Sequence, residues 1–444
     1  MEFTNVIFLF FVFPAFFLIY YLIPTKFKNF FVLLTSLLIV FWSSPVLSWC
    51  MIFFTLLNFI LCRYIYSSAL SKSKRNYAFL CAIFINLLVF ALCLVFDLNK
   101  FMFFEQKLIA WAMIPLLVLS NTSYILDVYT KKCMPQKNII DYFTYIFMFP
   151  KLFLGPLTSY HKIQSELKNR QVTWQKIADG IGLTIVGLAE NCILAGGVLE
   201  IQKLVLYQNV SNISVFTAWV GAVAMFFNIY FNLAGYANMA RGLGKMIGFE
   251  LPFNFRCPVS SNSVTNFFER WNISLLCFTK TYIGGFFKQK SKILNIFIGG
   301  VIYAWFFGGN INKFVAAIYF ILILIFEHLV LFKIWKRISL VIRKFTTFIL
   351  VLIGTVFIAT DSLLDSLTYI GVMLGANGVF LDKSTAVLTS SFISTLGLCW
   401  IFSSKFFQNK LAEFQKKCDK IYYPLKLAII IILFVFSCAF CLNN

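Results

Sequence analysis

The chain has 444 residues, of which 60% are hydrophobic and only 12% charged, with 56 phenylalanines. Soluble domains carry about 25% charged and about 45–50% apolar residues, so too few polar side chains are present to coat a water-soluble globule of this length. The charge is lopsided, 38 Lys and Arg against 17 Asp and Glu. These cations fall between apolar runs, as retention of basic loops in the cytoplasm requires, and form no soluble basic face of the kind that binds nucleic acid.

An apolar run of about 20 residues crosses a bilayer as a helix. The first covers residues 6–23; it lacks a basic leader and a small-residue cleavage site, and reads as a retained helix rather than a signal peptide. Others cover 30–41, 47–66, 77–96, 108–126, 177–206, 215–233, 293–307, 314–332, 345–360, 386–402 and 425–441, about a dozen crossings in all. The runs are continuous where a transmembrane β-barrel would alternate. The expected fold is all-α: a polytopic membrane protein of about 11–12 transmembrane helices plus re-entrant segments. It forms a single domain with N-terminal helices in 1–138, a core in 139–310 and C-terminal helices in 311–444.

The connections set the topology. Lys26 and Lys28, then Lys72, Lys74 and Arg75, then Lys131, Lys132 and Lys137 mark basic loops. They alternate with an uncharged connection at 43–45 and a mixed one at 97–107, which places both termini outside the cytoplasm of a plasma (inner) membrane. Later basic stretches, at 162–176, 333–344 and 405–420, keep this phase if the middle contains segments that enter without crossing. Two are visible: 139–160, broken by Pro150, Gly155 and Pro156, and 235–292, rich in Asn, Arg and Lys. Irregular backbone at membrane depth survives only when buried in protein or lining a wet cavity.

Most of the twelve cysteines (Cys50, Cys62, Cys81, Cys93 and Cys192 among them) lie in apolar stretches without paired spacing and read as small apolar residues. Two histidines argue against a zinc site. Asp127, Glu190, Asn191, Asn228, Asn232, Asn238, Arg241, Glu269, Arg270, Asn272 and Glu327 lie within or beside apolar runs. A charge at the centre of a membrane helix costs about 2.5–3.5 kcal/mol on insertion scales, so it faces a partner or water. Asp127 and Glu327, near helix ends, read as structural groups; the cluster at 269–272 reads as part of a cavity. His161 and His328 read first as surface or pairing residues. Gly242-Leu243-Gly244 lacks the preceding strand that a nucleotide loop needs.

Together these residues resemble a known family. Phe149-Pro150-Lys151-Leu152, Gly155-Pro156 and Tyr160-His161 are similar to the Phe-Pro-x-Leu-x-x-Gly-Pro motif of membrane-bound O-acyltransferases (MBOAT), and Asp127-Val128-Tyr129 resembles the segment before it. Gly235-Tyr236, Met239-Ala240, Gly242-Leu243-Gly244 and Gly248-Phe249 resemble a second family stretch. Asn254-Phe255, Pro258 and the run from Phe267 through Trp271-Asn272-Ile273-Ser274-Leu275 resemble a third. The likeness covers nearly the whole chain and is strongest to the bacterial branch that acetylates alginate-type polysaccharides or D-alanylates teichoic acids.

The resemblance implies a ring of helices around a central funnel, where a cytoplasmic acyl thioester, on coenzyme A or a carrier protein, meets an acceptor hydroxyl outside. It implies transfer of an acyl group, acetyl for the alginate type, onto a cell-envelope polysaccharide. No cofactor stays bound, and the partners are the bilayer, the acyl donor and an envelope-side acyltransferase or polysaccharide complex. The family motifs assign catalysis to Asn272 and substrate binding to Arg270, Trp271, Ser274, Gly155, Pro156 and Tyr236. Two departures stand out. Asn272 replaces a histidine of many bacterial members, and the histidine of the Trp-His-Gly motif is replaced by Phe307 or Gly308. Tyr282 and Tyr303 are nearby hydroxyls. The alternative is therefore a catalytically inactive relative that binds acyl donors or scaffolds a modification or export complex. A transporter or scramblase would need paired interrupted helices in corresponding halves, and none is seen.

Overall fold

The structure, a computed structural model, describes all residues except 1–3, 68–70, 96–106, 153, 208–212, 285–291, 307–310, 336, 382, 418 and 444. Every regular element among the described residues is helical. Among the described residues, eight helices are long and apolar enough to cross a membrane: Thr25–Ser43, Pro45–Tyr66, Lys72–Leu92, Trp174–Leu206, Val215–Met246, Ile311–Leu331, Leu340–Ala359 and Tyr422–Leu442. The described stretches of five more apolar helices are shorter, Phe8–Leu22, Met113–Tyr129, Ile293–Ala304, Leu363–Met373 and Phe392–Ser403. The protein is a multi-pass, all-helical membrane protein. Leu363–Met373 is not visible as a crossing in the sequence because eleven residues fall short of the bilayer thickness. It docks on Val215–Met246, where the Tyr369 hydroxyl donates to the Ala218 carbonyl at 2.8 Å.

Lipid tails are as apolar as leucine, so helices in a bilayer associate by close packing and hydrogen bonds. The pair Trp174–Ala189 and Val215–Met246 uses both. A Cβ on Gly242 would stand 2.5 Å from the Gly180 carbonyl oxygen, and one on Gly235 would stand 2.6 Å from that of Gly187. Each helix thus presents two glycines seven residues apart, on one face after two turns. Gly242 is a backbone contact point and no nucleotide loop.

The polar groups of these helices fill the same seam. Asn238 Nδ2 donates to Glu190 Oε2 at 2.7 Å and Arg241 to Asn238 Oδ1 at 3.1 Å. Asn191 Nδ2 reaches Asn232 Oδ1 at 3.3 Å, and Asn228 Nδ2 the Ala195 carbonyl at 3.0 Å. This set ties the two helices together.

The second broken segment starts later than expected. Val215–Met246 continues unbroken through Gly235, a 32-residue helix of about 48 Å, and irregular backbone begins only after it. From there the chain runs through short turns, Pro258–Ser260, Val264–Phe268, Ile273–Phe278 and Thr279–Gly284, before the helix Lys292–Phe306.

Candidate active site

The first broken segment is built by local chain chemistry. Asn138 caps Ile139–Phe147 by accepting from the Ile140 amide at 3.0 Å. The chain then leaves the helix at Met148, and a single turn, Phe149–Leu152, follows. The Gly155 amide returns to the Lys151 carbonyl at 3.0 Å. A Cβ on Gly155 would stand 2.5 Å from the Pro150 carbonyl oxygen, so only glycine fits. Leu154, just before it, sits in the left-handed region at φ 57°.

The second segment has the same character. Cys257 and Asn272 have φ of 45° and 46°. Three of the four non-glycine residues with positive φ among the described residues therefore lie in the broken segments. Such conformations cost about 1–3 kcal/mol each and gather at working sites. Asn272 is 3% exposed, and its side chain makes no hydrogen bond among the described residues.

The two segments are stapled together. The Leu157 amide donates to Ser274 Oγ at 2.9 Å, the Ser274 amide to Asn254 Oδ1 at 3.0 Å, and the Ile273 amide to the Asn254 carbonyl at 2.9 Å. Trp271 is buried among Phe226, Tyr230, Phe255 and Phe267, with ring centroids 5.2–6.0 Å away. The Tyr303 hydroxyl donates to the Trp271 carbonyl at 3.1 Å and approaches that of Asn272 at 3.4 Å. Glu327 fixes the other end: its Oε2 accepts from the Val264 amide at 2.8 Å and the Thr265 amide at 3.2 Å. A carboxylate at a helix N-terminus satisfies donors that have no partner within the helix.

Against these elements lies a largely apolar cavity of about 610 Å³. Phe226, Phe268, Trp271, Tyr303 and Phe320 form its walls, and Glu269, Lys280, Lys313, His328 and Thr355 bring polar groups to it. Lys313 and His328 are fifteen residues apart on Ile311–Leu331, about 22 Å along the axis, against a hydrocarbon core of about 30 Å. Two π-helical turns, Thr279–Gly284 and Glu327–Leu331, contribute to the lining; such widened turns recur at functional sites.

Of the residues singled out in the sequence, Trp271 lines this cavity. Asn272 and Ser274 are buried immediately after it in the chain, Gly155 and Pro156 shape the stapled turn, and Tyr236 is buried on Val215–Met246. Arg270 turns away, its Nε donating to Asn266 Oδ1 at 3.1 Å. Phe307 and Gly308 lie outside the described residues.

Two polar clusters lie nearby. Asp127, fully buried, receives His161 Nδ1 at 2.9 Å and the Tyr282 hydroxyl at 3.0 Å on one oxygen. Lys151, fully buried, donates to the Tyr145 carbonyl at 2.6 Å and to Ser120 Oγ at 3.2 Å. Among the described residues, no group of three or more His, Cys, Asp and Glu could hold a metal ion.

Lys313 escapes the sequence reading. The apolar run starts at Phe314 and leaves Lys313 in a connection, whereas the helix starts at Ile311. The available signal is an isolated lysine one residue before an uncharged run.

The MBOAT, membrane-bound O-acyltransferase family, matches residues 77–298. The chain is 27% identical over 322 residues to the probable alginate O-acetylase AlgI of Pseudomonas fluorescens, covering 68% of this chain and 63% of that relative, less than two thirds of its length. Its similarity to the probable alginate O-acetylase AlgI of Azotobacter vinelandii, 26% over 423 residues, covers 90% of this chain and 84% of the relative. The peptidoglycan O-acetyltransferase of Helicobacter pylori is 27% identical over 175 residues, 37% of this chain and 33% of that protein. With half the chain, the stapled turns included, inside the family's domain, this protein belongs to the membrane-bound O-acyltransferase family.

Proposed function

We propose that this chain transfers an acyl group, acetyl by the names of its relatives, from a cytoplasmic thioester to a hydroxyl of a cell-envelope polysaccharide. The observation that carries this reading is the cavity walled by Trp271 and Tyr303, with Asn272 held in a left-handed turn next to Trp271. Its lining spans about 22 Å of Ile311–Leu331, and in this reading a donor and an acceptor enter it from opposite sides. In this reading both termini lie outside the cytoplasm of a plasma (inner) membrane, and an envelope-side acyltransferase or polysaccharide complex receives the product. Asn272 orients the thioester carbonyl through its amide, Trp271 walls the place where the substrates lie, and Ser274, Gly155, Pro156 and Tyr236, with Arg270 bonded to Asn266, hold the turns and helix around it. Holding two reactants in line supplies roughly 7–11 kcal/mol without any chemical group.

The test uses the full chain in lipid nanodiscs with acetyl-coenzyme A, following thiol release with and without an alginate oligosaccharide. Release should exceed a protein-free control, and Asn272→Ala should lower it by about 10²-fold, the usual effect of removing one oxyanion donor. The absence of the motif histidine at Phe307 or Gly308 favours a second reading, an inactive donor-binding scaffold. Wild type that retains acetyl-coenzyme A without turnover, and gains turnover in Phe307→His, would establish the scaffold; no turnover and no retention would remove both readings.

A further inference from the structure

A lysine in a membrane helix is costly unless it faces protein or water, and so marks a functional site by default. Lys313 is half-buried on the cavity wall and takes part in none of the ion pairs among the described residues. Its level in the membrane follows from the antiparallel pair it belongs to. A Cβ on Gly300 would touch Ile321 at 2.5 Å and the Ala317 carbonyl at 3.8 Å, which sets residue 300 opposite 317–321. Tyr303, one turn further along Lys292–Phe306, then lies opposite about residue 316, roughly 4–5 Å in helical rise from Lys313 and roughly 18 Å from His328. Tyr303 is the residue whose hydroxyl reaches the Trp271 and Asn272 carbonyls. Lys313 therefore projects from the level of the Trp271–Asn272 turn, and His328 from near the far end.

Ester formation from an alcohol and a thioester releases the hydroxyl proton, and something must take it. Among the described residues, the titratable groups on the cavity wall are Glu269, Lys280, Tyr303, Lys313 and His328. Glu269 and Lys280 pair with each other at 3.4 Å, both exposed. Tyr303 already donates to backbone carbonyls. A lysine amine in a dry site titrates readily, which is why buried lysines serve as bases.

We propose, on the acyltransferase reading above, that Lys313 is the proton acceptor of the transfer. Its neutral amine takes the proton of the acceptor hydroxyl as that oxygen attacks the thioester carbonyl carbon. The new C–O bond forms, the C–S bond breaks, and the ammonium returns its proton to the leaving thiolate. Asp361, beyond Leu340–Ala359, is the opposite charge that acts on Lys313; among the described residues Tyr303, Glu269, Lys280 and His328 are the other titratable groups lining the cavity, and Glu327 adjoins it through the Thr265 amide.

The experiment measures acetyl-coenzyme A discharge by the full chain in nanodiscs as a function of pH. Lys313→Ala and Lys313→Arg should both lose about 10²-fold or more in kcat while retaining acetyl-coenzyme A, since arginine keeps the charge but cannot accept a proton. Small primary amines added to Lys313→Ala should restore rate in order of their basicity, with an acidic limb that follows the amine added. Full activity in Lys313→Arg would overturn the proposal in favour of a positioning charge. Loss of the acidic limb in His328→Gln, with none in Lys313→Ala, would move the role to His328. If wild type turns over and Lys313→Ala does so equally, only this inference falls; if wild type never turns over, the acyltransferase reading falls with it.

Discussion

The amide of Leu157 donates to the hydroxyl of Ser274 at 2.9 Å, across 117 residues of sequence, and both groups are buried. That bond closes the gap between the two broken segments. Replacing Ser274 with Ala leaves the Leu157 N–H without an acceptor, and an unsatisfied buried donor costs about 1–3 kcal/mol. Thermal unfolding of the purified variant should show a lowered midpoint. An unchanged midpoint would mean that the segments are held by other contacts.

The glycine seam makes a sharper contrast. Gly235→Ala forces a methyl to 2.6 Å from the Gly187 carbonyl oxygen, so the helices must separate, at about 1–3 kcal/mol for overpacking. Gly397 sits in the helix Lys383–Ser403, and a methyl added there would meet nothing within 4 Å. Gly397→Ala should be neutral or stabilise by up to about 1 kcal/mol, the helix preference of Ala over Gly. Equal unfolding midpoints for the two variants would refute the seam.

Glu327 holds the N-terminus of Val264–Phe268 with its carboxylate. Glu327→Gln keeps one acceptor oxygen and should be mild; Glu327→Ala removes both and should destabilise by about 1–3 kcal/mol. Because the capped turn leads into Trp271 and Asn272, the Ala variant should also lose acyl-donor retention. Donor binding identical to wild type in Glu327→Ala would separate the cap from the site.

Glu166, on the helix Tyr160–Lys168, accepts from the Glu250 amide at 3.1 Å, and burial pushes its carboxyl above the usual range. The folded state then binds this proton more tightly than the unfolded chain does. Stability from this group is full below the ordinary glutamate pKa of about 4.3 and falls as pH rises through the raised value. Wild type should lose unfolding temperature across that interval, and Glu166→Gln, which cannot ionise, should lose less. Parallel profiles for the two proteins would rule this group out.

Sequence alone was enough for the membrane class, for most of the helices and for the two interruptions. Hydrophobic run length, and the glycine and proline that stop a helix, are local properties, and Pro150, Gly155 and Pro156 already break the first segment before any folding is considered. It also carried the family, through motifs that need no third dimension. What a polar side chain faces is a relation between distant segments, and only the tertiary structure decides it. Glu190, Asn238 and Arg241 could face either water or one another by sequence; in the fold they hydrogen-bond one another between two helices brought together by glycines. Glu327 looks interfacial and proves to be a cap. Lys313 looks like part of a loop and lies on the cavity wall, because the start of its helix depends on packing against Lys292–Phe306 that no apolar run reveals.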